Sequence, residues 1–370
     1  MEQTVRVILL LITFLSGFFF LWKLPVISKK NDKNATGSVS VVIPARDEEA
    51  SLPKLLASLR EQSLNIKEII VVDDESVDRT VEIAESYGVL VLSTRESGNI
   101  QPGKSAACWL GAQHASGDYL AFMDADTECA GTQAFNRIVT QFQTNGDTGL
   151  LSIQPYHVIQ KFYETLSIVP NIIVLAGLNR YTIWDKHIKK RGAFGPFLFV
   201  KAKEYFKLGG HEVTLYTHMD GIAMADLYQE VELPVTVYGG RDSIHFRMYP
   251  EGLFQLIQGW TKSFTYGAKV TDSVVMSSII LWVMSTYLIL MGLVISLIRM
   301  DMIFLFFFLA VYFLHALQFR WLMNKVGRFP WWTMLLSPIY VSTFLLLYLW
   351  AVIQVYVLRK VRWRGREYKT

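Results

Sequence analysis

Tyr119-Leu120-Ala121-Phe122-Met123-Asp124-Ala125-Asp126 reads as a buried strand that ends in two carboxylates one residue apart. A short unbroken apolar run of this kind suits a strand covered on both faces. Asp124 and Asp126, at its carboxyl end, form a hard oxygen site of the sort that takes a divalent ion. Such an ion bridges a diphosphate and neutralises the charge that develops as the diphosphate leaves. Alone, Asp-x-Asp says little, and the segments around it decide its meaning.

Upstream the same pattern recurs. The β-branched run 38–44 leads into Ala45-Arg46-Asp47-Glu48-Glu49 and then a helical spacing through Leu52, Leu55, Leu56 and Leu59. The run 68–72 ends in Asp73-Asp74-Glu75-Ser76, and Asp78 then starts a helix; 89–92 is a third run, and Gly103-Lys104-Ser105 opens the next helix. Strands alternating with helices imply an α/β domain, a mostly parallel, doubly wound sheet with helices on both faces. Ligands bind such sheets beyond the carboxyl ends of the strands, and Glu48, Asp74, Asp124 and Asp126 all fall there. Like charges held close repel, so the cluster needs a cation or donors. A nucleotide sugar with a metal supplies both: uracil offers an N–H, ribose its hydroxyls, and the diphosphate carries the ion. Lys104, near a helix start, meets the base or the diphosphate with charge and helix dipole together. Asp78 reads as a helix cap, while Asp47 and Glu49 stay open between solvated loop and site.

Across its 370 residues the chain is 52% hydrophobic and only 18% charged, with a mean hydropathy of +0.28. That excludes an ordinary soluble protein. The excess is local. The segment 5–22, charged only at Arg6, reads as an anchor within residues 1–24, and 274–298, 302–319 and 334–358 read as later spans. Between them lies a mixed-polarity domain, 37–245, and a basic tail, 359–370, follows. The stretches 156–178 and 246–273 read as interfacial helices, apolar but interrupted by polar groups. Lys23, Lys29, Lys30 and Lys33 after the anchor place the domain in the cytosol of a multi-pass cell-membrane protein. Three later spans would then leave the basic tail outside; Pro338 marks the last segment as a candidate re-entrant or in-plane piece. The basic residues flank apolar spans, so no nucleic-acid partner is expected. The two cysteines, Cys108 and Cys129, are expected as reduced thiols, with no zinc-ligand spacing.

Val42-Ile43-Pro44-Ala45-Arg46-Asp47-Glu48-Glu49, Val72-Asp73-Asp74-Glu75-Ser76-Val77-Asp78 and Asp124-Ala125-Asp126 are similar to the three signatures of the inverting GT-A glycosyltransferases of family 2. The resemblance implies a Rossmann-like fold and a UDP-sugar donor lined by Pro44, Ala45, Arg46, Glu48, Asp74, Lys104, Asp124, Ala125 and Asp126. It also implies Mn²⁺ or Mg²⁺ on Asp126 and Asp124. Glu75 stands where the family usually has Gly, and Asp47 where it has Asn. On the acceptor side the resemblance places Gly195, Pro196 and His211, and it puts Asp220 at the general-base position, with Met219 departing from the usual Glu. His157 and His218 read as structural histidines. Leu256-Ile257-Gln258-Gly259-Trp260 keeps only the Trp of the Gln-x-x-Arg-Trp element of membrane relatives, and Arg247 or Lys262 is the candidate for its missing positive charge. An interfacial-belt role for Trp260 stays equally open.

A closer resemblance runs along most of the chain. Gln154-Pro155-Tyr156-His157, Ala193-Phe194-Gly195-Pro196, Leu233-Pro234-Val235-Thr236-Val237-Tyr238, Phe246-Arg247-Met248-Tyr249-Pro250-Glu251-Gly252 and Gly259-Trp260-Thr261-Lys262 are similar to the bacterial diaponeurosporenoate glycosyltransferase group. It implies transfer of a hexose, glucose, to the carboxylate of a C30 carotenoid acid in the bilayer. Diacylglycerol, a ceramide-like lipid or a polyprenyl phosphate are the alternative acceptors. A processive synthase would be expected to keep the Gln-x-x-Arg-Trp element and more spans. A non-catalytic membrane-anchored nucleotide-binding module would need an altered Asp-x-Asp, and this one is intact.

Overall fold

The computed structural model describes residues 2–29, 35–97, 102–188, 191–215, 217, 219–358, 360–363 and 366–369. His218 and part of the basic tail lie outside them, as does the side chain of Lys262. The chain divides into two units, Pro25–His157 with Arg191–Arg247, and Met1–Leu24 with Val158–Lys190 and Met248–Thr370.

In chain order the elements begin with helix α1 (Glu2–Phe19), β1 (Val39–Ala45), α2 (Leu52–Arg60), β2 (Ile66–Asp73), α3 (Thr80–Ser86), β3 (Leu90–Ser93), α4 (Lys104–His114) and β4 (Tyr119–Met123). Next come β5 (Thr127–Cys129), α5 (Ala134–Thr144), β6 (Leu150–Gln154), β7 (Tyr156–Val158), α6 (Ile168–Gly177), β8 (Phe197–Lys201), α7 (Ala202–Lys207), α8 (Asp220–Glu230), β9 (Val235–Gly239) and β10 (Ile244–Phe246). Four long helices close the chain: α9 (Leu253–Val270), α10 (Ser273–Ile298), α11 (Met302–Val326) and α12 (Ser337–Tyr356).

The first unit is built on a seven-stranded sheet in the order β3-β2-β1-β4-β8-β6-β9. β1 pairs in parallel with β2, Ala45 opposite Asp73, and with β4, Val42 opposite Phe122. Their carboxyl ends therefore finish on one edge, where the acidic loops begin. β8 runs antiparallel to both β4 and β6, while β6 and β9 are parallel. The sheet is thus mixed beyond β4. Alternation along β1 sends Val39, Val41 and Ile43 into a core with Leu52, Leu55, Leu56 and Leu59 of α2 and Phe135, Ile138 and Phe142 of α5. Val42 and Val72 face α4 instead, at Gly111, where an added Cβ would lie 2.4 Å from Val42 Cγ1 and 3.0 Å from Val72 Cγ2. β10 pairs antiparallel with β5 and parallel with β7 in a small second layer.

In the other unit, α1 and α11 run side by side in the same direction. Gln318 Nε2 donates to the Phe14 carbonyl at 2.8 Å, and Lys325 Nζ donates to the Trp22 carbonyl at 3.0 Å. Gly17 permits the approach of α10 and α11, because a Cβ there would meet Trp282 Cδ1 and Gln318 Oε1 at 2.5 Å each. His315 Nε2 lies 3.1 Å from both Thr286 Oγ1 and Ser285 Oγ, joining α10 to α11 through buried polar groups. Among the described residues, Ser273–Ile298, Met302–Val326 and Trp331–Gln354 are long and apolar enough to cross a membrane. Pro338 sits in the first turn of α12, after a 3₁₀ turn over Trp331–Leu336. It starts a helix rather than breaking one, because a first-turn residue has no helical N–H bond to lose.

The apolar stretch 156–178 is a strand, a 3₁₀ turn over Phe162–Ser167 and then α6, instead of one helix. The buried Glu164 carboxylate takes the N–H groups of Gln160 at 2.6 Å and Lys161 at 3.2 Å, which turns the chain before α6. α9 is amphipathic: Leu256, Trp260 and Phe264 are buried, whereas Leu253 and Phe254 are exposed.

Candidate active site

Two loops leave the sheet edge together, one after β1 and one after β2. The Asp74 N–H donates to the Ala45 carbonyl at 2.8 Å. Arg46 reaches across, donating to the Asp74 carbonyl at 3.1 Å and pairing with Glu75 at 3.4 Å. Amide-to-side-chain bonds then alternate between the loops. The Asp47 N–H reaches Ser76 Oγ (3.0 Å), the Val77 N–H reaches Asp47 Oδ1 (2.9 Å), the Glu48 N–H reaches Thr80 Oγ1 (2.8 Å), and the Glu49 N–H reaches Asp78 Oδ2 (3.0 Å). Asp47 (φ 53°) and Glu75 (φ 67°) are both left-handed. Asp tolerates that conformation; Glu adopts it at a cost that the usual family Gly would avoid. Asp78 accepts the Thr80 N–H at 2.9 Å from one residue ahead of the helix N-cap, which is Arg79 rather than the expected Asp78. Burial pushes its carboxyl up, but that bond, the Glu49 amide and the Thr80 hydroxyl hold it below the usual range. Asp74 and Glu48 are buried at this edge, 6% and 8% exposed. Thr94, at the end of β3, donates its hydroxyl to Asp74 Oδ1 at 3.2 Å.

A second cluster forms where three chain segments meet. Lys104 opens α4, Asp124 directly follows β4, and Asp220 opens α8. Lys104 Nζ lies 2.7 Å from Asp124 Oδ1 and 2.9 Å from Asp220 Oδ2. The Asp124 N–H donates to the Pro196 carbonyl at 3.0 Å, and its own carbonyl accepts from the Thr127 hydroxyl at 2.7 Å. The Asp126 carbonyl accepts the Arg247 N–H at 3.4 Å, so Arg247 stands beside the Asp-x-Asp turn. Gly195 lies directly against Asp220: a Cβ there would be 2.4 Å from Oδ1.

The charges follow from these contacts. Burial favours an uncharged Lys104, but Asp124 and Asp220 hold its ammonium well above the ordinary lysine range. Burial pushes Asp220 up, yet Lys104 and His211 beside it bring its carboxyl below the usual value. Asp220 is therefore an anion at neutral pH. Burial drives the Cys108 thiol well up, with Lys104 opposing, which leaves it protonated. His211 is wholly buried, and burial brings its imidazole down to about 4, Asp220 opposing and Lys104 assisting. The His211 N–H donates to the Tyr205 oxygen at 3.0 Å, and the imidazole Nδ1 lies 2.9 Å from the same oxygen. Its Nε2 has no hydrogen-bond partner among the described residues.

The carboxylates Asp124 and Asp126 suit a hard divalent ion. Among the described residues no group of three or more His, Cys, Asp or Glu gathers. One or two carboxylates with substrate phosphate oxygens completing the shell is the usual Mg²⁺ arrangement, and Mn²⁺ accepts the same donors.

Of the residues singled out in the sequence, Pro44, Ala45, Arg46, Glu48 and Asp74 share one edge, and Lys104, Asp124, Gly195 and Asp220 share one cluster with His211 beside it. Ala125 is buried behind the Asp-x-Asp turn. Trp260 belongs to the other unit, where its indole N–H donates to Ser167 Oγ at 3.0 Å and its ring stacks on Phe264 with centroids 5.7 Å apart. Sequence reasoning missed the lysine's hold on Asp220, the Tyr205–His211 pair and Thr94. No local pattern signals them, because each contact joins residues from different elements.

A model of the family described as Glycosyl transferase family 2 matches residues 40–195. The 4,4'-diaponeurosporenoate glycosyltransferase of Staphylococcus haemolyticus (strain JCSC1435) is 37% identical over 342 residues, 92% of this chain and 91% of the relative. A protein of the same name from Staphylococcus aureus (strain USA300) is 33% identical over 332 residues, 90% of this chain and 88% of the relative. Among solved structures, the mannosyltransferase PcManGT from Pyrobaculum calidifontis, in complex with GDP-Man and Mn²⁺, matches with a TM-score of 0.52 at 14% identity. The match covers 94% of this chain and 96% of that one, a likeness of fold.

Proposed function

The chain belongs to glycosyl transferase family 2 and has the GT-A fold, and from that premise we propose that it transfers glucose, with inversion, from UDP-glucose to the carboxylate of a C30 carotenoid acid at the cytosolic face of the cell membrane. The observation that carries the chemistry is the meeting of Asp124, at the end of β4, and the ionised Asp220 within 2.7 and 2.9 Å of one ammonium. Donor-side and acceptor-side carboxylates thus converge on one point. The relatives' printed activity, over about nine-tenths of the chain, supports the acceptor. The three long apolar helices support a membrane-dissolved one.

In this reading Asp74 takes the uracil N–H and Glu48 the ribose hydroxyls, both already desolvated at the sheet edge. Mn²⁺ or Mg²⁺ on Asp124 and Asp126 would neutralise the charge on the departing diphosphate. The Arg247 backbone adjoins the same turn, and its guanidinium would supply a further positive charge. The acceptor oxygen forms its bond to the sugar C1 as the C1–diphosphate bond breaks, and UDP leaves with the electron pair. Asp220 faces the acceptor oxygen.

An acceptor carboxylate has no proton to lose, whereas an alcohol does, and base assistance is worth about 10²–10⁴-fold. Detergent-purified protein with Mn²⁺ and UDP-glucose is therefore offered diaponeurosporenoic acid or diacylglycerol, with product read by mass spectrometry and Asp126→Asn as control. Glucosyl ester from the acid, lost in the control, is expected. Asp220→Asn is expected to slow the acid reaction by less than about tenfold and any alcohol reaction by about 10²–10⁴-fold. Product from diacylglycerol alone would overturn the acceptor, and a severe loss with the acid in a folded, donor-binding variant would overturn the role of Asp220.

A further inference from the structure

Lys104 is the unexplained centre of this cluster. Its ammonium is 2.7 Å from the carboxylate read as a metal ligand and 2.9 Å from the carboxylate read as facing the acceptor. Asp220, with a side chain only 14% exposed, has little water to neutralise it in the lysine's place. The ammonium and an incoming divalent ion therefore seek the same Asp124 oxygens. Like charges at such separations repel strongly even with partial screening. The lysine is a point charge on a flexible four-carbon stem, so it can turn to a new anion. The diphosphate that arrives with the ion is such an anion.

We propose that Lys104 is a resident counter-ion that makes metal and nucleotide binding depend on each other: its ammonium neutralises Asp124 and Asp220 until the ion takes Asp124 and the diphosphate takes the ammonium. The inference rests on the reading that Asp124 and Asp126 hold a divalent ion. Lys104 here is a positioning residue. An ion arriving alone must displace the ammonium without giving it a new partner. An ion arriving with a diphosphate supplies one. Linkage then requires each to tighten the other by the same factor.

The test counts free Mn²⁺ by its electron paramagnetic resonance signal during titration of the detergent-purified full chain, with and without UDP. Wild type is expected to bind Mn²⁺ weakly alone and more tightly with UDP. Lys104→Met is expected to bind Mn²⁺ alone about tenfold or more tighter, the scale of one removed neighbouring charge, and to gain correspondingly less from UDP. Lys104→Gln, which keeps polar contacts without charge, is expected to move the same way and guards against a misfolded Met variant. Lys104→Arg is expected to keep the wild-type pattern. Unchanged or weaker Mn²⁺ binding by both neutral variants, with wild type still binding Mn²⁺ beside UDP, would overturn the inference alone. No Mn²⁺ binding by wild type under either condition would remove the metal reading as well.

Discussion

A methyl group added at Gly195 would come within 2.4 Å of Asp220 Oδ1 and 2.9 Å of its Cγ. Gly195 is needed for space, since its backbone is not among the left-handed positions. Gly195→Ala should push the Asp220 carboxylate off the lysine ammonium. Displacing Asp220 can cost the acid reaction no more than removing its charge does, less than about tenfold, and an alcohol reaction up to about 10²–10⁴-fold, while Asp74 and Glu48, on other loops, keep their grip on the nucleotide. Turnover measured beside a UDP titration checks this: turnover should fall and UDP affinity hold, and unchanged turnover would refute it. At this scale the sequence told part of the story. The strand-end acids were legible because an apolar run that stops at a carboxylate marks both a strand and its end. Glu75 was legible as an oddity in the family pattern, and its φ of 67° with Arg46 alongside explains how it stands there. The bond from Lys104 to Asp220 was not legible, because spacing along a chain carries no information about which helix starts face one another.

Helix α4 carries Lys104 at one end and Gly111 on the face that meets β1 and β2. A Cβ at 111 would overlap Val42 Cγ1, and a valine on a strand has little room to turn away. Gly111→Ala should destabilise by about 1–3 kcal/mol, the usual cost of overpacking. Val42→Ala removes the opposing methyls, so the double variant should lose less than the sum of the two single losses, by more than about 0.5 kcal/mol. Thermal unfolding of the four proteins in one detergent tests the coupling, and simple additivity would show that α4 is not held there. Period and run length located β1 to β4 and the start of α4 to within two residues, since these signals are local. They were blind to the reversed direction of β8, which depends on its partners. They also merged 156–178 into one helix, because the turn there is made by a single buried carboxylate, Glu164.

The whole chain does not follow its sequence order in space. Residues of the sheet-bearing unit stop at His157 and resume at Arg191, and the intervening segment belongs with the carboxyl-terminal helices. Within that second unit the excursion is tied down by Thr165 to Tyr340 at 3.3 Å and Asn179 to the Val270 carbonyl at 2.9 Å. A fragment spanning 25–247 keeps every strand of the large sheet yet strips the partners from Ile168, Val169, Ile172 and Leu175, which are buried in the intact chain. It should need detergent although it lacks all three candidate spans, because an exposed apolar face of that kind associates. Size-exclusion chromatography without detergent decides this, and a monodisperse fragment would sink the idea. The paired loops after β1 and β2 carry a different consequence, one that plays out over generations. Their amides are satisfied by each other's side chains, so a change at Asp47 takes the Val77 amide's partner and a change at Ser76 takes the Asp47 amide's. The two loops should therefore be inherited as one locus: among descendants of a common ancestor, substitutions at 47–49 are expected to travel with substitutions at 76–80.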